Sequence, residues 1–137
     1  MTITPATLED LSAITAYDRH IPRERLADCI QRGLVTVLRS EDRILGVLRW
    51  NLFWQSIPFL DLIYLDEAVR GQDWGTRMMA HWEEDMRSNG FDHVMLSTQA
   101  DETSKFFYEK LGNRQIGAFL PPDQDAEELM YLKELKP

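Results

Sequence analysis

Cysteine occurs once, at Cys29, which excludes an internal disulfide, and His20, His81 and His93 stand apart from it and from one another at no zinc-site spacing. No apolar run approaches the roughly 20 residues that cross a membrane. Met1-Thr-Ile-Thr-Pro5 has neither the basic start nor the apolar centre of a signal peptide. Basic residues are outnumbered 15 to 23, and the formal charge of -8 argues against a nucleic-acid partner, which needs a clustered basic surface. The phosphate-loop pattern GxxxxGK followed by Ser or Thr is missing, and so is GxGxxG. These absences point to a cytoplasmic protein with no metal, no membrane partner and no nucleic acid. The acidic balance itself reads as a solubility feature.

What is present fits one folded domain spanning 1–137: hydrophobic residues make up 44% and charged residues 28%, enough for a packed core. Ile3 and Pro5 suggest a short opening strand. Thr7-Leu-Glu-Asp10 has the form of a capping box displaced by one residue, ahead of Leu8, Leu11 and Ile14 at helical spacing. A second helix is expected from Pro22 to Gly33. Residues 34–38 and 44–48 flank a polar turn at 41–43, a hairpin signal, and the second of these strands runs on toward Trp54. After a turn at 55–58 comes the apolar strand 59–65. Trp74, Met78, Met79, Trp82 and Met86 then mark one side of a helix that stops near Gly90. A strand at 93–97, a helix at 101–111 capped by Asp101 and closed by Gly112, and strands at 114–120 and 129–135 complete the order β-α-α-β-β-β-α-β-α-β-β. Hairpins joined to βαβ units predict an α/β (α+β) fold with a mixed sheet and helices on both faces.

Between the strand 59–65 and the following helix lies Arg70-Gly-Gln-Asp-Trp-Gly75. A strand, a glycine-bearing turn and a helix start make an anion site: the first turn leaves N–H groups unpaired, the helix dipole adds partial positive charge, and glycines permit close approach. Arg70 and Arg77 stand ready to add charge-assisted contacts.

These residues resemble the acetyl-CoA signature of the GNAT superfamily of N-acetyltransferases, Q/R-x-x-G-x-G/A, in the place where that superfamily has it. The strand pairing around Gly46 resembles the family's third strand, and Phe106-Phe-Tyr-Glu-Lys-Leu-Gly112 resembles its F/L-Y-E-K-x-G-F box. The element order matches over almost the whole chain, implying a mostly antiparallel sheet of six to seven strands. Two positions depart from the pattern: Asp73 replaces the middle glycine, and Asn113 replaces the Phe after the closing glycine. A carboxylate at the mouth of a pyrophosphate cradle repels the ligand but caps an empty helix.

The resemblance implies acetyl transfer from acetyl-CoA to an amine of a small molecule or peptide, with site residues carried over position by position. Backbone N–H groups near Ile63 and Leu65 would hold the pantetheine arm and thioester carbonyl. Those from about Gln72 to Thr76 (Gln72, Asp73, Trp74, Gly75 and Thr76) would take the pyrophosphate, with Arg70, Gly71 and Arg77 beside them as further cofactor-binding residues. Asp101 aligns with an asparagine that often touches pantetheine, although as an N-cap it already has a structural job. Tyr108 stands at the family's tyrosine, four residues before Gly112, where a phenol of ordinary pKa about 10 would protonate the thiolate. The base is open. Asp61 interrupts an apolar strand, and alternation puts it on one face with Ile63 and Leu65; it reads equally as a buried proton acceptor or as a strand-end aspartate in contact with solvent. His20, in the basic segment 17–25, and the aromatic residues Trp50, Phe53 and Trp54 are candidates for the acceptor side, with core or solvent roles as the alternative. Two other readings stay open: a non-catalytic acyl-CoA-binding regulator, and a cofactor-free homodimeric module on the same fold.

Overall fold

The protein is described by a computed structural model covering residues 1–135. Its elements follow the expected order: β1 (Thr2–Pro5), α1 (Leu11–Thr15), α2 (Arg23–Gln31), β2 (Val35–Ser40), β3 (Arg43–Phe53), β4 (Ile57–Leu65), α3 (Trp74–Ser88), β5 (His93–Gln99), α4 (Ser104–Lys110), β6 (Arg114–Phe119) and β7 (Glu128–Glu134). The strands form a seven-stranded sheet in the order β1-β2-β3-β4-β5-β7-β6, with the β4–β5 pair parallel. The chain packs as two compact units, one from residues 1–51 and 61–82, the other from 52–60 and the residues after 82.

In the first unit, Asp10 itself is the box partner of Thr7, whose N–H donates to Asp10 Oδ2 at 2.8 Å, so no displacement exists. Arg39 of β2 clamps the same carboxylate at 3.0 and 2.8 Å. Residues Leu8–Asp10 wind as a 3-10 turn before α1 begins. The tighter winding turns Leu8 outward, 48% exposed, so it leaves the predicted apolar stripe. Ile14 of α1 and Leu26 and Ile30 of α2 bury themselves with Val35, Val37 and Val47, and Leu62 packs against this group. Pro22 caps α2 from an extended conformation, and Gly33, at φ +75°, turns the chain left-handed after it.

The other side of β3 meets α3. A Cβ built on Gly46 would lie 2.8 Å from Leu65 Cδ2, 3.2 Å from Leu38 Cβ and 3.3 Å from Met78 Sδ, so any side chain there would force Leu65 to move and crowd Leu38 and Met78. Met78, Met79, Trp82 and Met86 are all buried, as the stripe predicts, while Trp74 is half-buried.

In the second unit, the β3–β4 turn falls earlier than expected. Trp54 and Gln55 both adopt positive φ (56° and 58°) and Ser56 N–H donates to Phe53 O, which closes the hairpin and leaves Pro58 inside β4. β4 pairs with β5 at two register positions, Phe59 with Met95 and Leu60 with Leu96. β5 and β7 pair along their full lengths, and β6 covers the far side of β7 with a bulge between Gln115 and Gly117. The helix expected at 101–111 is shorter. Glu102 N–H first closes a turn on Gln99 O, and the first helical bond runs from Phe106 N–H to Thr103 O. Thr103, not Asp101, therefore occupies the cap position, which corrects the capping role expected for Asp101.

Gly46→Ala is expected to cost about 1–3 kcal/mol through overpacking against Leu38 and Met78. Urea unfolding should show a lowered midpoint at unchanged slope; an unmoved midpoint would mean that the backbone gives way freely.

Candidate active site

The loop ahead of α3 leaves a row of amides without helical partners. The first helical bond of α3 runs from Arg77 N–H to Asp73 O at 3.1 Å, so the N–H groups of Trp74, Gly75 and Thr76 precede it and have no acceptor within the helix. Gly71 sits at φ +74°, and Gln72 Nε2 donates to Ala68 O at 3.2 Å, closing the loop from below. Asp73 takes φ +73°, a left-handed conformation that strains an L residue and suits the glycine usual in the signature. It is exposed, and among the described residues its carboxylate makes no hydrogen bond. The two arginines are held differently. Arg70 Nε donates to Leu65 O at 2.9 Å while its guanidinium lies 5.2 Å from the Tyr64 ring centre; Arg77 lies 4.7 Å over the Trp74 ring. Both are exposed and keep N–H donors for an anion.

β4 runs on beyond its pairing with β5, which is confined to Phe59 and Leu60. Asp66 N–H donates to Leu45 O at 2.8 Å, so Asp66 points its amide toward β3. In an antiparallel pair the direction alternates, so Ile63 and Leu65 aim N–H and C=O at the opposite edge. The Leu65 carbonyl on that edge is the one that Arg70 caps, consistent with the absence of a ladder there. Asp66 also caps the 3-10 turn Glu67–Val69 through Ala68 N–H, and lies 2.9 Å from the Tyr17 hydroxyl, which is also 3.0 Å from Ile44 O. The Ala68 amide first, then Tyr17, holds the Asp66 carboxyl below its usual range.

Asp61 does not share a face with Ile63 and Leu65. Leu65 touches the Gly46 position, whereas the Asp61 carboxylate meets Arg49 and Asn51, odd numbers of residues further along β3 and so on the other face. Asp61 and Leu62 both turn toward the α1/α2 side, so alternation slips by one residue there, and the expected shared face is corrected. Asn51 Nδ2 donates to Asp61 Oδ1 and Oδ2 at 2.6 and 2.7 Å, and Arg49 Nη1 donates to Oδ2 at 3.1 Å. Burial pushes the Asp61 carboxyl above its usual value, against the pull of Asn51 and Arg49. Asp61 is exposed as a residue while its side chain is 22% exposed, so the carboxylate is largely sheltered but still reaches solvent.

Tyr108 and Asp101 belong to the second unit. Tyr108 is buried, its ring packs edge-on against Phe107 at 5.2 Å, and among the described residues its hydroxyl makes no hydrogen bond. Burial, with Glu102 adding to it, pushes the phenol up to about 12. Asn113, buried after Gly112, donates both its backbone N–H and its side-chain amide to Tyr108 O, at 3.1 and 2.9 Å. The departure from Phe thus ends the helix with an extra donor. Asp101 is exposed in the turn before α4.

Arg49, Asn51, Asp18 and Tyr17 were not marked by the sequence. A lone charge within the run 44–48 onward was the available signal for Arg49. Asp18 beside Arg19 reads from sequence as an ordinary solvated helix end, yet it is 1% exposed. Of the acceptor-side candidates, His20 is exposed, Trp50 packs 6.4 Å from Trp82, and Phe53 packs against Trp54 and Phe59.

A model of the acetyltransferase (GNAT) family matches residues 5–112, and the chain belongs to that family. No curated protein matches it. Solved structures share its fold. Ard1 from Thermoplasma volcanium superposes at TM-score 0.84 with 16% identity, over 99% of this chain and 98% of its own. The ribosomal-protein-S18-alanine N-acetyltransferase from Escherichia coli gives 0.82 with 16% identity, over 99% and 94%. An aminoglycoside 6'-N-acetyltransferase complexed with coenzyme A gives 0.77 with 16% identity, over 100% and 98%.

Asp73→Gly should raise stability by up to about 1 kcal/mol, relief of the left-handed conformation being partly offset by the freer unfolded chain. Thermal unfolding checks this; a lowered midpoint would show that the carboxylate caps α3 after all.

Proposed function

We propose that residues 1–137 act as one N-acetyltransferase domain that moves an acetyl group directly from acetyl-CoA to an amine, with no covalent enzyme intermediate. What supports this reading is backbone left outside regular pairing in the first unit: Ile63 and Leu65, beyond the last β4–β5 register pair, and Trp74 to Thr76, ahead of the first bond of α3. The donor set fits the group. Amides, Arg70 and Arg77 suit a pyrophosphate, and strand amides suit the polar arm that leads to a thioester.

When bound, the donor supplies a thioester whose acyl carbon bonds to the amine nitrogen as the carbon–sulfur bond breaks. The residues of the chain do the rest. Ile63 and Leu65 N–H orient the arm and polarise the carbonyl. Gly71, Gln72 and Asp73 shape the cradle, and Asp101 is assigned a contact to the arm. Asp61 takes the proton of the amine, directly or through water, its raised affinity for a proton coming from burial. Tyr108 returns a proton to the departing thiolate; a phenol at about 12 stays protonated across the neutral range. A second reading, a coenzyme A-binding regulator without transfer, is favoured by the exposed carboxylate of Asp73 within the cradle.

Calorimetry with acetyl-CoA should give saturable binding, and Asp73→Gly should tighten it, most at low salt where screening is weak. Absence of specific heat would overturn both readings. Thiol release across a panel of amines separates them. N-terminal alanine peptides and aminoglycosides belong in that panel, since structural neighbours are named for such acceptors. Tyr108→Phe should lower kcat roughly a hundredfold or more with cofactor affinity unchanged. An unchanged rate removes the acid role.

A further inference from the structure

Arg49 is 8% exposed and lies between two carboxylates. Asp18, which follows α1, takes the closer grip, Nε to Oδ2 at 2.6 Å and Nη2 to Oδ1 at 3.4 Å. Asp61 receives the single Nη1 contact at 3.1 Å, supplemented by Asn51. One guanidinium cannot neutralise two carboxylates, so the cluster keeps an excess negative charge. Asp18 has no exposed side-chain surface, so the excess is felt at Asp61, whose side chain still reaches solvent. We propose that Arg49 is a positioning residue for acetyl transfer, holding the Asp61 carboxylate at the open part of β4 and tying it to Asp18 in the loop between α1 and α2. The inference rests on the reading of Asp61 as the group that takes the proton of the amine.

The groups facing Asp61 are Arg49 and Asn51 from β3, Asp18 from the loop after α1, and Cys29 from α2. Burial pushes the Cys29 thiol up, so it stays neutral and leaves the balance to the two charged neighbours. Removing the cation must therefore raise the proton affinity of Asp61, and removing the Asp18 charge must lower it. A purely structural role would not give opposite signs.

The test is a carbon-13 NMR titration of aspartate carboxyls in the intact protein, which needs no acceptor. Relative to the parent, Asp18→Asn is expected to move the Asp61 midpoint down and Arg49→Met to move it up, with Arg49→Lys returning it toward the parent. Where Arg49→Met fails to fold because Asp18 is left buried and unpaired, the double variant with Asp18→Asn serves. Its midpoint should still rise, since Arg49 touches Asp61 and Asp18 does not. A midpoint that stays put, or moves the same way in both single variants, overturns the coupling. The acid limb of kcat/KM for thiol release, with the panel amine that supports it, should shift in the same order. A moved midpoint with an unmoved limb overturns Asp61 as the base, and with it the catalytic part of the proposal.

Discussion

Backbone amides inside a folded protein demand partners, and β4 is where this chain withholds them. One edge of the strand stays bonded to β3 as far as Asp66, while register with β5 is confined to Phe59 and Leu60. The amides of Ile63 and Leu65 thereby lie beyond the β4–β5 ladder. The same economy operates at α3, where any helix start leaves donors over and glycine lets a ligand come close to them. Arg70 serves both places, since its guanidinium caps the Leu65 carbonyl while the residue itself opens the cradle.

Around this open backbone the side chains are held tightly. Asp66 gathers Ala68 N–H and the Tyr17 hydroxyl, and Tyr17 packs at a tilt against Tyr64, which in turn lies under Arg70. The end of the strand, the segment after the first helix and the loop ahead of α3 are thus linked by consecutive contacts. Gly46 completes the arrangement from the α3 side, because any side chain there would push against Leu65. Asp73 is the discordant element. It occupies a backbone conformation made for glycine and brings a negative charge to a helix start flanked by Arg70 and Arg77.

Periodicity alone was sufficient for the element order, because each helix and strand buries one face and therefore repeats at its own spacing. The α3 stripe of Met78, Met79, Trp82 and Met86 and the stops at Gly33 and Gly112 were legible for that reason, as was the loop signature at 70–75. Errors fell where local rules met a competing bond. Leu8 was lost from the stripe to a 3-10 turn, and Asp101 was displaced as cap by a turn that closed on Gln99 first.

The sequence by itself determined the order of the elements and where a glycine-bearing helix start would lie, since both depend on neighbours along the chain. Only the tertiary structure decided what Asp61 touches. Its partners, Arg49 and Asn51, come from another segment, Asp18 reaches it only through Arg49, and a slip of one residue in the alternation of β4 turned it away from Ile63 and Leu65. A one-residue slip leaves composition and spacing unchanged yet exchanges the faces of a strand, so no local pattern could have announced it.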